Sequence, residues 1–155
     1  MNPANINSVA ELCQALIRIP SENPSGAPHS RGEAQIAQFV AEFLQELGAA
    51  VEFEEIAQGR PNLYAAFPTR TDRRPRLMLA PHLDTVSAAG MTVDPFAATV
   101  RDGRIYGRGA SDTKGPMAAM LWALKSVDLS TLEVAVAFFA FPFGFDVVER
   151  ALLQQ

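Results

Sequence analysis

The feature that most limits the fold of this chain is the alternation of helix-period and strand-period segments along it. Apolar residues at helical spacing predict a first helix between Ser8 and Pro20, a second over residues 36–47 and a third from Met117 onward. Short apolar segments predict strands at residues 49–56, 62–67, 76–80, 99–107 (a hairpin) and 132–139. Helices that alternate with strands favour an α/β fold, here a three-layer sandwich with a mixed sheet.

Local signals define several boundaries within this pattern. Ser8 followed by Glu11 forms a capping box, and Gly48 is a natural stop for the second helix. The pair Asp102-Gly103 between alternating segments predicts a tight hairpin turn. The run "RLMLA" (76–80) is continuously apolar, so we expect a strand that is covered on both faces.

Composition limits the classes of partner and compartment. A length of 155 residues, with 48% apolar and 19% charged residues, is typical of one globular domain. The net charge of −4 argues against a nucleic-acid partner. We see no apolar run of about 18 residues and no basic, apolar leader, so we expect no membrane partner and a cytoplasmic location. Cys13 has no second cysteine to pair with and is interpreted as a small core residue.

The first candidate for chemistry is the pair His82 and Asp84, which follows the strand at 76–80. Ligands of open α/β sheets bind beyond the carboxyl ends of strands. Residues i and i+2 of an extended segment share a face, so a carboxylate at 84 can orient an imidazole at 82 for a metal ion. A His-X-Asp triplet also arises often by chance, and the pair alone leaves both interpretations open.

The second candidate is the glycine-rich segment "GRGASDTKG" (107–115), which contains Asp112. Its glycines suggest a tight turn with close backbone approach. Asp112 could simply be the N-cap of the third helix, where aspartate is favoured. Lys114 would lie in the first helical turn, where the helix dipole disfavours a cation, and we expect it to be solvated.

Several segments together resemble one known family. They are "LIRIPSENPSG" (16–26), "GRPNLYA" (59–65), "PHLDTV" (81–86), "DPFAATVRDGRIYGRGASDTKG" (94–115) and the following "PMAAML". In order and spacing they resemble the zinc-dependent metallopeptidases and deacylases, which include acetylornithine deacetylase, succinyl-diaminopimelate desuccinylase, aminoacylase and glutamate carboxypeptidase. The resemblance extends from residue 8 to about 138.

The resemblance implies roles for three residues and an activity. His82 would ligate one zinc ion, and Asp84 would orient the imidazole of His82. Asp112 would bridge two zinc ions, and the Asp112–Thr113 peptide bond would be cis. The cofactor would be zinc, with cobalt as a substitute, and no residue is assigned to another cofactor. The implied reaction is metal-dependent hydrolysis of an amide or peptide bond in N-acyl amino acids or small peptides.

The family's next motif, an adjacent pair of glutamates after the following strand, has no counterpart here. No Glu-Glu pair occurs after Asp112, and Asp146 and Glu149 have the wrong spacing to replace it. We therefore interpret residues 1–139 as the N-terminal part of a catalytic domain whose lid or dimerisation domain is absent, so that only a full-length form could make a homodimer. The alternative is a catalytically incomplete fragment or a non-catalytic binding module that keeps the fold.

The last segment of the chain is expected to differ from the rest. The stretch "FFAFPFGFD" (138–146) combines aromatic residues with Pro142 and Gly144, which break regular structure. Residues 140–155 are therefore interpreted as an atypical tail, which a shifted reading frame or a natural short paralogue would each explain. We expect 138–146 not to pack as a regular core element.

Overall fold

The computed structural model of this chain describes residues 3–68, 77–129, 134–138 and 140. A short 3-10 turn, Pro3–Asn5, comes first. The helices are α1 (Val9–Ile17), α2 (Ala34–Glu46) and α3 (Lys114–Lys125). The strands are β1 (Ala50–Ala57), β2 (Arg60–Ala66), β3 (Leu77–Leu79), β4 (Thr99–Arg101), β5 (Arg104–Tyr106) and β6 (Val134–Phe138).

The main sheet is mixed and has the strand order β1-β2-β6-β3. β1 pairs antiparallel with β2, and β2 pairs antiparallel with β6. β6 and β3 run parallel, with Leu77 opposite Val134 and Leu79 opposite Val136. The prediction of an α/β fold with a mixed sheet is confirmed. The carboxyl ends of β3 and β6 consequently lie at the same edge, where binding sites of such sheets form.

The helix cap, the helix stop and the hairpin turn predicted from local sequence are all present in the structure. The Ser8 hydroxyl accepts a hydrogen bond from the Glu11 amide at 3.1 Å and so caps α1. Gly48, with φ of 90°, follows the end of α2. β4 and β5 form the predicted hairpin, and positive φ at both Asp102 (52°) and Gly103 (71°) is the backbone that a tight two-residue turn requires.

One strand differs from its prediction. The run at 76–80 was expected to be covered on both faces, but Leu77 is 53% exposed and Met78 and Leu79 are only partly buried. The physical reason is topological, because β3 stands at the end of the strand order and pairs with β6 alone among the described strands. Continuous hydrophobicity identified a strand but could not place it within the sheet.

The core lies between the helices and the sheet. α1 packs against α3, and α2 packs against β2 and β1. The largest fully buried apolar residues are Phe138, Ile6, Leu12, Leu16, Ile17, Ile36, Leu44, Leu63, Leu83, Met117 and Leu121. Cys13 is buried, as predicted. Within the described residues, no helix has the length and apolarity needed to cross a membrane.

The predicted tail falls mostly outside the described residues. Of the stretch 138–146, the structure describes Phe138 and Ala140, and both are buried. The expectation that this stretch does not pack as a regular core element therefore stays a prediction for its other residues, as does the domain division at residue 140.

Candidate metal centre

The site begins where β3 ends. From Pro81 to Thr85 the side chains alternate, so that Pro81, Leu83 and Thr85 are buried while His82 and Asp84 are half-buried on the other side. This is the alternation of an extended segment, and it places His82 and Asp84 on one face, as predicted.

The imidazole of His82 is held firmly by Asp84. His82 Nδ1 lies 3.0 Å from Asp84 Oδ1 and also 3.0 Å from the Asp84 backbone carbonyl oxygen. Since both of these partners are acceptors, Nδ1 carries the proton and donates. The arrangement leaves Nε2 as the nitrogen that can face a metal ion.

Asp112 meets His82 from the start of α3. Its Oδ1 lies 3.0 Å from His82 Nε2, and its side chain is 86% exposed. The N-cap of α3 is Thr113, and within the described residues no side-chain hydrogen bond caps this helix. The interpretation of Asp112 as a simple N-cap is therefore wrong. The Asp112–Thr113 peptide bond is cis, in agreement with the expectation from the family.

The two carboxylates control the protonation of the imidazole. Hydrogen bonding to Asp84, joined by the bond to Asp112, raises the pKa of His82 to about 9 even though burial opposes the charged form. Burial also opposes the charge of Asp84, but hydrogen bonds from His82 and Asn23 outweigh it and lower the pKa of Asp84. The carboxylates on either side of the ring thus favour positive charge at the imidazole.

The donor set suits zinc. Typical Zn–N and Zn–O bonds of ~2.0–2.2 Å place two ligand atoms of one ion about 3–3.5 Å apart. The 3.0 Å between His82 Nε2 and Asp112 Oδ1 agrees with this spacing. The exposed side of the Asp112 carboxylate leaves room for a second ion. Within the described ranges, no group of three or more His, Cys, Asp or Glu side chains is arranged to hold a metal, so an ion here would find two ligands, His82 and Asp112.

Lys114 does not lie where the sequence predicted. It was expected to be solvated, but it is 1% exposed, and its Nζ donates to the Ile19 carbonyl oxygen at 2.7 Å. A Cβ placed on Gly109 would come within 3.0 Å of the Lys114 side chain, so the glycine makes room for the buried stem. Burial lowers the pKa of Lys114 to about 8. This hydrogen bond thus links the backbone just after α1 to the start of α3.

Sequence reasoning missed Asn23 altogether. Asn23 lies in the polar loop at 20–33, and its Nδ2 donates to Asp84 Oδ2 at 2.9 Å. An isolated parallel bridge between Glu22 and Thr85 brings the loop to the segment that follows β3. A turn signal is present, since Asn23 precedes a proline, but nothing in the local pattern identifies a partner 61 residues away.

Comparison with known sequences places part of the chain beside a peptidase family. Residues 78–142 match the sequence model of the peptidase family M20/M25/M40. The chain is 40% identical over 119 residues to succinyl-diaminopimelate desuccinylase of Rhodospirillum centenum, a match that covers 74% of this chain and 29% of that protein. It is 32% identical over 126 residues to acetylornithine deacetylase of Proteus mirabilis, which covers 79% of this chain and 32% of that protein.

Solved structures share the fold. An M20 family metallo-carboxypeptidase from Sulfolobus solfataricus superposes with a TM-score of 0.71 at 25% identity, over 87% of this chain and 31% of that one. Human carnosine dipeptidase 1 has a TM-score of 0.69 at 24% identity, over 85% of this chain and 31% of that one. The chain spans about 30% of the length of the curated relatives it matches. The resemblance found in the sequence motifs is thereby confirmed: residues 78–142 match peptidase family M20/M25/M40, and the similar curated proteins are a desuccinylase and a deacetylase.

Proposed function

We propose that this chain carries the first part of a dinuclear zinc site that hydrolyses an amide or peptide bond in N-acyl amino acids or small peptides. The observation that carries the proposal is the line of three side chains in which His82 stands between Asp84 and Asp112, with 3.0 Å on either side. Desuccinylases, deacetylases and carboxypeptidases among the similar proteins support the choice of substrate class.

Each of the three residues has a distinct task in the proposed site. Asp84 accepts a hydrogen bond from Nδ1–H of His82 and so keeps Nε2 available as a ligand. Asp112 presents one oxygen beside His82 and keeps the rest of its carboxylate exposed, which suits a ligand shared by two ions. Zinc, or cobalt in its place, would polarise the scissile carbonyl and activate water.

A second candidate is a catalytically incomplete or non-catalytic chain with the same fold. Its support is the absence of any Glu-Glu pair after Asp112 in the sequence. A general base must reach the attacking water, and two protein ligands are fewer than the three of a usual catalytic zinc site. For the 155-residue chain alone we therefore expect weak zinc binding without turnover. A cytoplasmic location, and a homodimer for a full-length form, stay predictions.

Zinc titration calorimetry tests the metal site. We expect His82→Ala to abolish zinc binding, because it removes the imidazole ligand. Asp84→Asn should weaken binding by about 10–100-fold, which is typical when the partner of a metal ligand is lost. The control is His29→Ala, since His29 is the other histidine of the chain and is exposed. Unchanged affinity in His82→Ala would contradict the assignment.

A deacylase assay on N-acetyl amino acids separates the two candidates. If His82 and Asp112 are the only protein ligands to zinc, the chain should show no zinc-dependent turnover. If turnover is found and His82→Ala removes it, the interpretation as an incomplete chain is wrong. Asp146 and Glu149 would then be the first residues to replace in a search for the base.

A further inference from the structure

The loop that contains Asn23 makes a specific contact with the candidate site. Asn23 Nδ2 donates to Asp84 Oδ2 at 2.9 Å, while the other oxygen of that carboxylate, Oδ1, faces His82 Nδ1 at 3.0 Å. Each oxygen of Asp84 thus has its own partner, and the plane of the carboxylate is fixed by contacts at both ends.

The orientation of the Asn23 amide is itself determined. Its Oδ1 accepts a hydrogen bond from the backbone N–H of Ser25 at 3.0 Å, so the NH₂ group must point toward Asp84. The backbone is anchored as well. Asn23 N donates to the Thr85 carbonyl oxygen at 2.8 Å, and Thr85 N donates to the Ser21 carbonyl oxygen at 2.8 Å. These two backbone hydrogen bonds place the Asn23 amide beside Asp84.

The chemistry of the amide suits this position. A neutral donor fixes the carboxylate without neutralising it, so Asp84 keeps its negative charge for the imidazole. An ammonium or guanidinium group here would form a stronger, charge-assisted bond and would compete with His82 for that charge. Without the Asn23 donor, the Asp84 carboxylate loses its hydrogen bond at Oδ2, and Oδ1, one of the two acceptors at His82 Nδ1, is less firmly oriented.

We propose that Asn23 is a positioning residue of the metal centre, which holds the Asp84 carboxylate in the orientation that presents Nε2 of His82 to a metal ion. The effect on metal affinity rests on the proposed zinc site. The effect on the His82–Asp84 hydrogen bond does not, because that bond exists in the metal-free chain. The two effects can be measured separately.

The test compares Asn23→Ser with Ser30→Ala in the full 155-residue chain. A serine at 23 is neutral and can still accept from Ser25 N, but it is too short to reach Asp84. Ser30 lies in the same loop, where its hydroxyl donates to the Glu22 carbonyl oxygen and accepts from Gly32 N. Ser30→Ala therefore loosens the loop without touching Asp84. Asn23→Thr serves as a second variant if Asn23→Ser does not fold.

Two measurements are made on each variant. The first is the hydrogen-exchange rate of His82 Nδ1–H by ¹⁵N NMR without metal, with the signal assigned through His82→Ala, since the chain has two histidines. The second is zinc affinity by calorimetry. We expect Asn23→Ser to accelerate exchange and to weaken zinc binding about 10-fold, at the low end of losses for residues behind a ligand. Ser30→Ala should leave both close to the original values.

The outcomes are distinct. Faster exchange in Asn23→Ser, with no zinc binding by the unmodified chain, would support the role of Asn23 and count against the proposed metal site. Exchange and affinity that match those of Ser30→Ala would show that Asn23 only shapes the loop, and would overturn the inference.

Discussion

Glu33 and Arg60 form a buried ion pair between the start of α2 and the β1–β2 turn. The Glu33 side chain is fully buried, and Arg60 donates to both of its oxygens, with Nε 3.0 Å from Oε2 and Nη2 3.0 Å from Oε1. Burial nevertheless raises the pKa of Glu33 above its usual 4.5, because the cost of removing the charge from water exceeds the gain from Arg60.

This shift gives stability a definite pH dependence. A group with a raised folded pKa binds more protons in the folded state, so its contribution to the free energy of unfolding is largest below pH 4.5 and falls as pH rises through the folded value. The advantage of the original chain over Glu33→Gln should therefore shrink as pH rises from about 4. Urea unfolding at a series of pH values measures it, with Glu52→Gln on exposed β1 as the control. A difference that grows with pH would contradict the assignment.

The predictability of single residues depended on sequence distance. His82 and Asp84 could be paired from the sequence because i and i+2 share a face, and Asp112 was added through the family motif. The contact of Asn23 with Asp84 could not be predicted from the sequence, because it depends on the long-range bridge between Glu22 and Thr85. Lys114 was misjudged because a helix-dipole argument considers its own helix and neglects the space beside Gly109.

The turn before α3 depends on close approach at Gly109. Its φ is 81°, and a Cβ there would lie 2.9 Å from Thr85 Cγ2 and 3.0 Å from Lys114 Cδ. Gly103, in the β4–β5 hairpin, has a similar φ of 71° but nothing within 4 Å of a built Cβ. The two glycines thus share a backbone conformation and differ in crowding.

Alanine at each position separates the two effects. Gly103→Ala should cost about 1–2 kcal/mol, the penalty of a left-handed conformation for an L-residue. Gly109→Ala should cost more, because the same penalty is joined by the displacement of Thr85 or Lys114. Chemical denaturation of both variants gives the comparison. Equal losses would show that the loop before α3 relaxes freely.

Among the elements, those with local causes were the ones predicted well. The capped start of α1, the stop of α2 and the Asp102-Gly103 hairpin follow from neighbouring residues. The prediction that β3 is covered on both faces was wrong. Strand order is a property of the whole sheet, and an apolar run is equally compatible with the centre and the edge of a sheet.

At the scale of the molecule, β3 is the last strand of the main sheet among the described residues. Leu77 is 53% exposed, and open strand edges promote pairing between chains. We expect Leu77→Lys to reduce concentration-dependent self-association in sedimentation velocity experiments. Val127→Lys is the matched control, since Val127 is 47% exposed but follows α3 and lies on no strand. Equal effects of the two lysines would mean that charge, and not the strand edge, controls association.

His82 and Asp112 are 30 residues apart in the chain and become neighbours only when it folds. An ion that binds both therefore recognises the folded state and stabilises it by mass action, by about 2.7 kcal/mol when its free concentration is 100 times its dissociation constant. Thermal unfolding can then be used to measure metal binding. The melting temperature should rise with each increment of zinc, should stop rising in His82→Ala, and should report even an affinity that is too weak for calorimetry.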